Sequence, residues 1–165
     1  MPLRGRLPIV LLCTLIPLHA LANIVISELL WSGTDLSSAD EWIELTNTGT
    51  GSIDVSGWIL TKHSNGTEVD MLTIPQGNVI GSGHMLLISN FAEEHSRLSI
   101  EPNIVDTALT LANTKLLIRL YAPDIGTGRI LVDAVDDGIG APFAGSNGDI
   151  KRSEEHTSEL QSPCN

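Results

Sequence analysis

The residues able to do chemistry in this chain fall into adjacent carboxylate pairs and isolated histidines. The pairs are Asp40–Glu41, Glu93–Glu94 and Asp136–Asp137, and the histidines are His19, His63, His84, His95 and His156. Glycoside hydrolysis requires two carboxylates facing across a cleft, one of them with a pKa raised by burial. Neighbours on a strand point to opposite faces, so these pairs read as solvated surface. The same geometry separates His63 from Ser64 and Ser27 from Glu28. No HExxH, CxxC or GxSxG pattern occurs, nor a glycine loop able to cradle phosphate. No catalytic residue is expected, and the chain does not read as an enzyme.

Metal binding rests on weaker ground. Calcium outside cells takes hard oxygen ligands from loops, and Asp35, Asp40, Glu41, Asp136 and Asp137 could supply them. Neither EF-hand nor nonapeptide-repeat spacing is present. The expectation is no cofactor, with calcium as the one metal these loops could hold.

The elements that must position these groups are strands. NIVISELL (Asn23–Leu30) and EWIEL (Glu41–Leu45) are short runs of β-formers with partial alternation. TNTGTGS then forms a polar, glycine-rich turn, and IDVSGWILTK follows with Ile53, Val55, Trp58 and Leu60 at inward positions. Asn65-Gly66 between extended segments is a strong hairpin cue. VDMLTIP and HMLLISN continue the pattern, and TKLLIRLYAP with GRILVDAV reads as a further hairpin around PDIGTG. Only NFAEEHSRL (Asn90–Leu98) could hold a helical turn, capped by Asn90. Trp31, after the first run, reads as core or edge packing in preference to an exposed contact. Many short strands with closely spaced turn signals predict an antiparallel β-sandwich.

Both ends fall outside that pattern. Arg4 and Arg6, the apolar run Pro8–Leu18 and the small-residue site Ala20-Leu21-Ala22 have the order of a signal peptide, residues 1–22, cleaved after Ala22. The apolar run is shorter than the roughly 20 residues a membrane span takes, so no span is expected in the mature chain. At the other end, RSEEHTSELQS (Arg152–Ser162) resembles the translated frame of a short-read sequencing adapter. Residues 152–165 are therefore set apart as a non-native tail, and 23–151 is expected to be one domain. Cys13 and Cys164 fall in these ends, which leaves that domain without a disulfide and dependent on packing. Within 23–151, 17 acidic residues face 6 basic ones. Such a surface argues against nucleic-acid binding, which needs lysine and arginine clusters.

Four motifs in order carry a resemblance. They are Ile26-Ser27-Glu28; Glu41-Trp42-Ile43-Glu44-Leu45; Asn47-Thr48-Gly49; and Asp54-Val55-Ser56-Gly57-Trp58-Ile59-Leu60. Farther on, Ile80–Ile88 and LTLANTKLLIRLYAPD with LVDAV extend it. Over about Ile24 to Val135 the chain resembles the lamin tail domain family, specifically its bacterial secreted branch. The resemblance implies an immunoglobulin-like sandwich in which the motif residues Ser27, Glu28, Glu41, Trp42, Glu44, Asn47, Asp54, Ser56, Gly57 and Trp58 are structural. It also implies a final strand that the adapter-like tail interrupts, which would leave a sheet edge unpaired. A lamin's coiled-coil rod has no counterpart here, so the nuclear-scaffold role is not carried over.

The function these observations imply is a secreted or cell-surface module, non-catalytic, that binds or anchors to an unidentified protein or cell-envelope ligand. Two rivals remain. One is an N-terminal accessory domain of a larger secreted nuclease or phosphatase. The other is a structural repeat of an envelope or adhesive fibre.

Overall fold

The computed structural model describes residues 23–124, 126, 128–145 and the backbone of 154–155. The expected leader, both cysteines and most of the adapter-like tail lie outside the described residues. In chain order the strands are β1 Ile24–Leu30, β2 Trp42–Asn47, β3 Ile53–Asp54, β4 Ile59–Ser64, β5 Thr67–Thr73, β6 Val79–Ile80, β7 Met85–Ser89, β8 Ile104–Val105, β9 Ile118–Asp124, β10 Gly128–Val135 and β11 Glu154–Glu155. They form a first sheet in the order β11-β1-β2-β7-β8, a second in the order β10-β9-β4-β5, and the small ribbon β3-β6. All pairings are antiparallel except β7 with β8. The fold is an all-β, immunoglobulin-like sandwich.

Alternation along the strands builds the core. In β2, Ile43 and Leu45 are fully buried, while Glu44 and Thr46 turn to the other face. In β9, Ile118, Leu120 and Ala122 point inward between Arg119 and Tyr121. These meet Ile24, Ile26, Val55, Trp58, Leu60 and Ile88 in one cluster that joins both sheets. Each buried isoleucine, leucine or valine contributes about 1.5–3 kcal/mol by leaving water. At the seam between sheets the Ile26 amide of β1 donates to Asp133 Oδ2 of β10 at 2.7 Å.

Turn chemistry fixes the register. Asn65 and Gly66 have φ of +50° and +83°, the left-handed pair of a type I′ hairpin that joins Ser64 to Thr67. Gly57, at φ +76°, closes the Val55–Trp58 turn, in which the Trp58 amide donates to the Val55 carbonyl. Asp54 Oδ1 accepts from the Ser56 amide, and Ser56 Oγ accepts from the amides of Gly77 and Asn78. Asn47 is fully buried and ties three loops together. Its Oδ1 accepts from the Gly49 amide, and its Nδ2 donates to the carbonyls of Gly51 and Ile80.

Two expectations need correction, and Trp42 packs outside the main cluster. Asn90 caps nothing: the 3-10 turn spans Glu93–His95 with Ala92 at its cap position, and the buried Asn90 amide donates to the Leu109 carbonyl at 2.7 Å. That bond satisfies an inner carbonyl, which is worth more than capping a single exposed turn. Thr46 and Asn47 belong to β2, so the glycine-rich turn begins two residues later than its composition suggests. Trp42 is buried but stands apart from the core, in a separate cluster with Leu30 and Leu87 against the half-buried Leu98. That cluster sits on the outer face of the first sheet, under the 90–103 loop.

Candidate binding site

The remainder of that outer face is open, and a β-bulge shapes it. Ile26 pairs with Leu45 and Glu28 with Glu44, so Ser27 is an extra residue between them. A bulge re-aims its side chain, and Ser27 Oγ donates to Glu44 Oε1 of β2 at 2.5 Å. Thr46 Oγ1 lies 3.1 Å from the same carboxylate oxygen and 2.8 Å from Ser27 Oγ. Both hydroxyl protons therefore point toward the Glu44 carboxylate and fix its rotamer. Oε2 has no partner among the described residues.

Beside this carboxylate is a groove of about 380 Å³, lined by Glu44, Thr46, Gly83, His84 and Met85. The Gly81–His84 turn, closed by the His84 amide on the Gly81 carbonyl, brings the imidazole to the rim. That imidazole has no hydrogen-bond partner among the described residues. Met85 stands opposite Thr46 in register with its side chain 51% exposed, a thioether on an open sheet face. The groove thus presents a carboxylate oriented by two hydroxyls, an unengaged imidazole and a polarizable apolar surface. A second recess, beneath Trp31, measures only about 10 Å³ and has no room for a ligand. Trp31 itself is buried and donates from Nε1 to the Ala144 carbonyl.

Among the described strands, lysine and arginine are confined to the second sheet. The described strands of the first sheet, β1, β2, β7 and β8, carry Glu28 and Glu44 and no lysine or arginine. The cations Lys62, Arg119 and Arg129 all sit on the second sheet. There each is engaged within the protein, the two arginines by carboxylates of the same sheet and Lys62 by the loop before β9. Arg119 Nη1 donates to Glu68 Oε2 at 2.6 Å, and Arg129 donates to Asp70 at 2.7 Å while stacking 4.5 Å from the Tyr121 ring centre. Lys62 Nζ donates to Thr110 Oγ1.

This network makes a pH prediction. Burial pushes the Glu68 carboxyl up, but hydrogen bonds from Thr61 and Tyr121 and the charge of Arg119 outweigh it, leaving its pKa below the ordinary 4.5. A carboxyl depressed on folding stabilises fully above its unfolded pKa and loses that contribution as pH falls through its folded value. Stability should therefore decline with acid below about pH 4.5, and Glu68→Gln should flatten that part of the curve. Urea midpoints at pH 6 and at acid pH for both proteins check it; parallel curves would contradict it.

The calcium candidates are placed differently from how they read in sequence. Asp35 makes a two-pronged pair with Arg97, at 2.7 and 2.5 Å, which holds its carboxyl below the usual range. Asp40 and Glu41 are not solvated surface: they are 0% and 4% exposed. Asp40 accepts from Thr34 Oγ1, Ser96 Oγ and the Arg97 amide, and Glu41 Oε2 accepts from the Leu111 amide. They are buried because each ties down a loop whose donors would otherwise go unmet. Asp136 accepts from the amides of Asp137 and Phe143, and Asp137 from that of Ile139. Among the described residues, no three His, Cys, Asp or Glu converge on a point where a metal could sit. Glu93 and Glu94 lie exposed on the 3-10 turn, and His63 and Ser64 are consecutive in β4.

The two sheets and the buried carboxylates that hold their loops define an all-β sandwich module. The family model of the Lamin Tail Domain matches residues 17–137, and the chain belongs to that family. It is a family of immunoglobulin-like, non-catalytic fold. Among curated proteins none matches the chain.

Proposed function

We propose that this chain is a secreted or cell-surface lamin-tail module that binds or anchors and performs no catalysis itself. The observation that carries the reading is the open groove on the outer face of the first sheet. Its carboxylate, Glu44, is held by the Ser27 and Thr46 hydroxyls beside the groove, with no nucleophile–base pair among the described residues that line it. Export is supported by the order of charged, apolar and small residues in 1–22. No helix among the described residues is long and apolar enough to cross a membrane. Anchoring would then run through the ligand.

One experiment tests both halves of the reading. The full chain, expressed with its own leader in a bacterial host, should be recovered outside the cytoplasm with an intact mass that begins at Asn23. The purified protein should leave nucleic acid and phosphoesters intact. Retention of Met1 in the cytoplasm would overturn export, and turnover by the pure chain would overturn the non-catalytic assignment.

A further inference from the structure

Resting on the reading of the chain as a binding module, we infer that the Glu44 groove is a docking site for an arginine- or lysine-bearing segment of a partner protein. Three features determine the chemistry of the occupant. Glu44 Oε1 is held by Ser27 and Thr46, which leaves Oε2 as a fixed acceptor at the groove. A guanidinium or ammonium is the donor that such a carboxylate binds best. Next to it the exposed Met85 offers an apolar surface along which the methylene stem of an arginine or lysine lies while its charged end reaches the carboxylate.

The wider field agrees. Glu28 stands across from Glu44 in register, and no described strand of the first sheet carries a cation. With a formal charge of −11, the chain attracts a cationic segment over a distance and delivers it to a sheet whose described strands hold no competing cation. The second sheet fits this part less well: Glu68 and Asp70 are paired with Arg119 and Arg129, and Asp124 and Asp133 accept from backbone amides. A bare divalent cation fits poorly. Calcium seeks six to eight oxygens, whereas the groove offers one unengaged carboxylate oxygen beside an imidazole and a thioether. The volume, about 380 Å³, is at the low end for a ligand pocket and suits one or two side chains of a longer chain lying across the sheet.

The test is fluorescence anisotropy of the full chain with a labelled hexa-arginine peptide, and hexa-glutamate as its opposite. Hexa-arginine binds and hexa-glutamate does not. Glu44→Gln keeps an oxygen for Ser27 and Thr46 and should weaken hexa-arginine about tenfold or more. Met85→Lys, at an exposed position that tolerates the change, places a like charge in the groove and should weaken it at least as much. Removing two charges elsewhere, by Glu93→Gln with Glu94→Gln on the exposed 3-10 turn, should change affinity less than about twofold. Equal losses from the groove and turn variants would reduce the effect to overall charge and overturn the site. Absence of hexa-arginine binding, or spermine displacing the peptide at the same concentration, would overturn the peptide assignment. Failure of these arms with an exported, non-hydrolytic protein leaves the module reading intact. Hydrolysis by the pure chain removes that reading whatever the peptide does.

Discussion

Trp58→Ala should lower the unfolding free energy by about 3–5 kcal/mol, the usual cost of truncating a buried aromatic. Trp58 is 3% exposed within the cluster that joins both sheets, and it follows the Gly57 turn that aims it inward. A domain of this size has roughly 5–15 kcal/mol in total, and the described residues contain no cysteine to support it. The variant is therefore left near its threshold. Trp42→Ala should cost clearly less, because among the described residues Trp42 belongs to a small apolar cluster with Leu30, Leu87 and the half-buried Leu98, under a loop that can settle into the gap. Urea midpoints at constant slope measure both. A larger loss from Trp42 would mean that the outer cluster, and not the two-sheet core, holds the fold together.

Asp40→Ala should cost about 2–3 kcal/mol, since it strands the buried Ser96 hydroxyl and leaves the part-buried Thr34 hydroxyl and Arg97 amide without their acceptor. Asp40→Asn keeps one acceptor oxygen and should cost less, though its NH₂ then meets a donor. The same residue separates two accounts of the acidic loops. If Asp40 serves Thr34, Ser96 and Arg97, wild-type melting temperature is the same in chelator and in millimolar calcium. If it serves a metal, calcium raises the melting temperature, because a ligand specific to the folded state must stabilise it.

The strands, the hairpins and the sandwich class were legible because their signals are local. Alternation in EWIEL and the left-handed demand of Asn65-Gly66 are properties of a few adjacent residues. The groove was not legible, for an equally physical reason. A period-two reading sends Ser27 and Glu28 to opposite faces, and the bulge at Ser27 breaks that period to bring its hydroxyl to Glu44, 17 positions away. The role of Met85 and the placement of His84 stay hidden because HMLLISN is almost continuously apolar, and such a run does not say which face stays open. The Gly81–Gly83 turn ahead of it was visible, but not that it sets an imidazole beside the groove. Asp40 and Glu41 were misread for the converse reason. Adjacent carboxylates usually stay in water, and what buries these two is a set of donors from Thr34, Ser96, Arg97 and Leu111, distant in sequence or in loops without pattern.

The most direct test of the central claim is an NMR titration of isotope-labelled full chain with hexa-arginine, following backbone amide and methionine methyl shifts. Perturbations should concentrate on Ser27, Glu44, Thr46, His84 and the Met85 methyl, while Arg119, Tyr121 and Arg129 on the second sheet stay still. Shifts centred on the second sheet, or spread evenly over the acidic surface, would contradict the assignment of the first sheet's outer face as the binding surface.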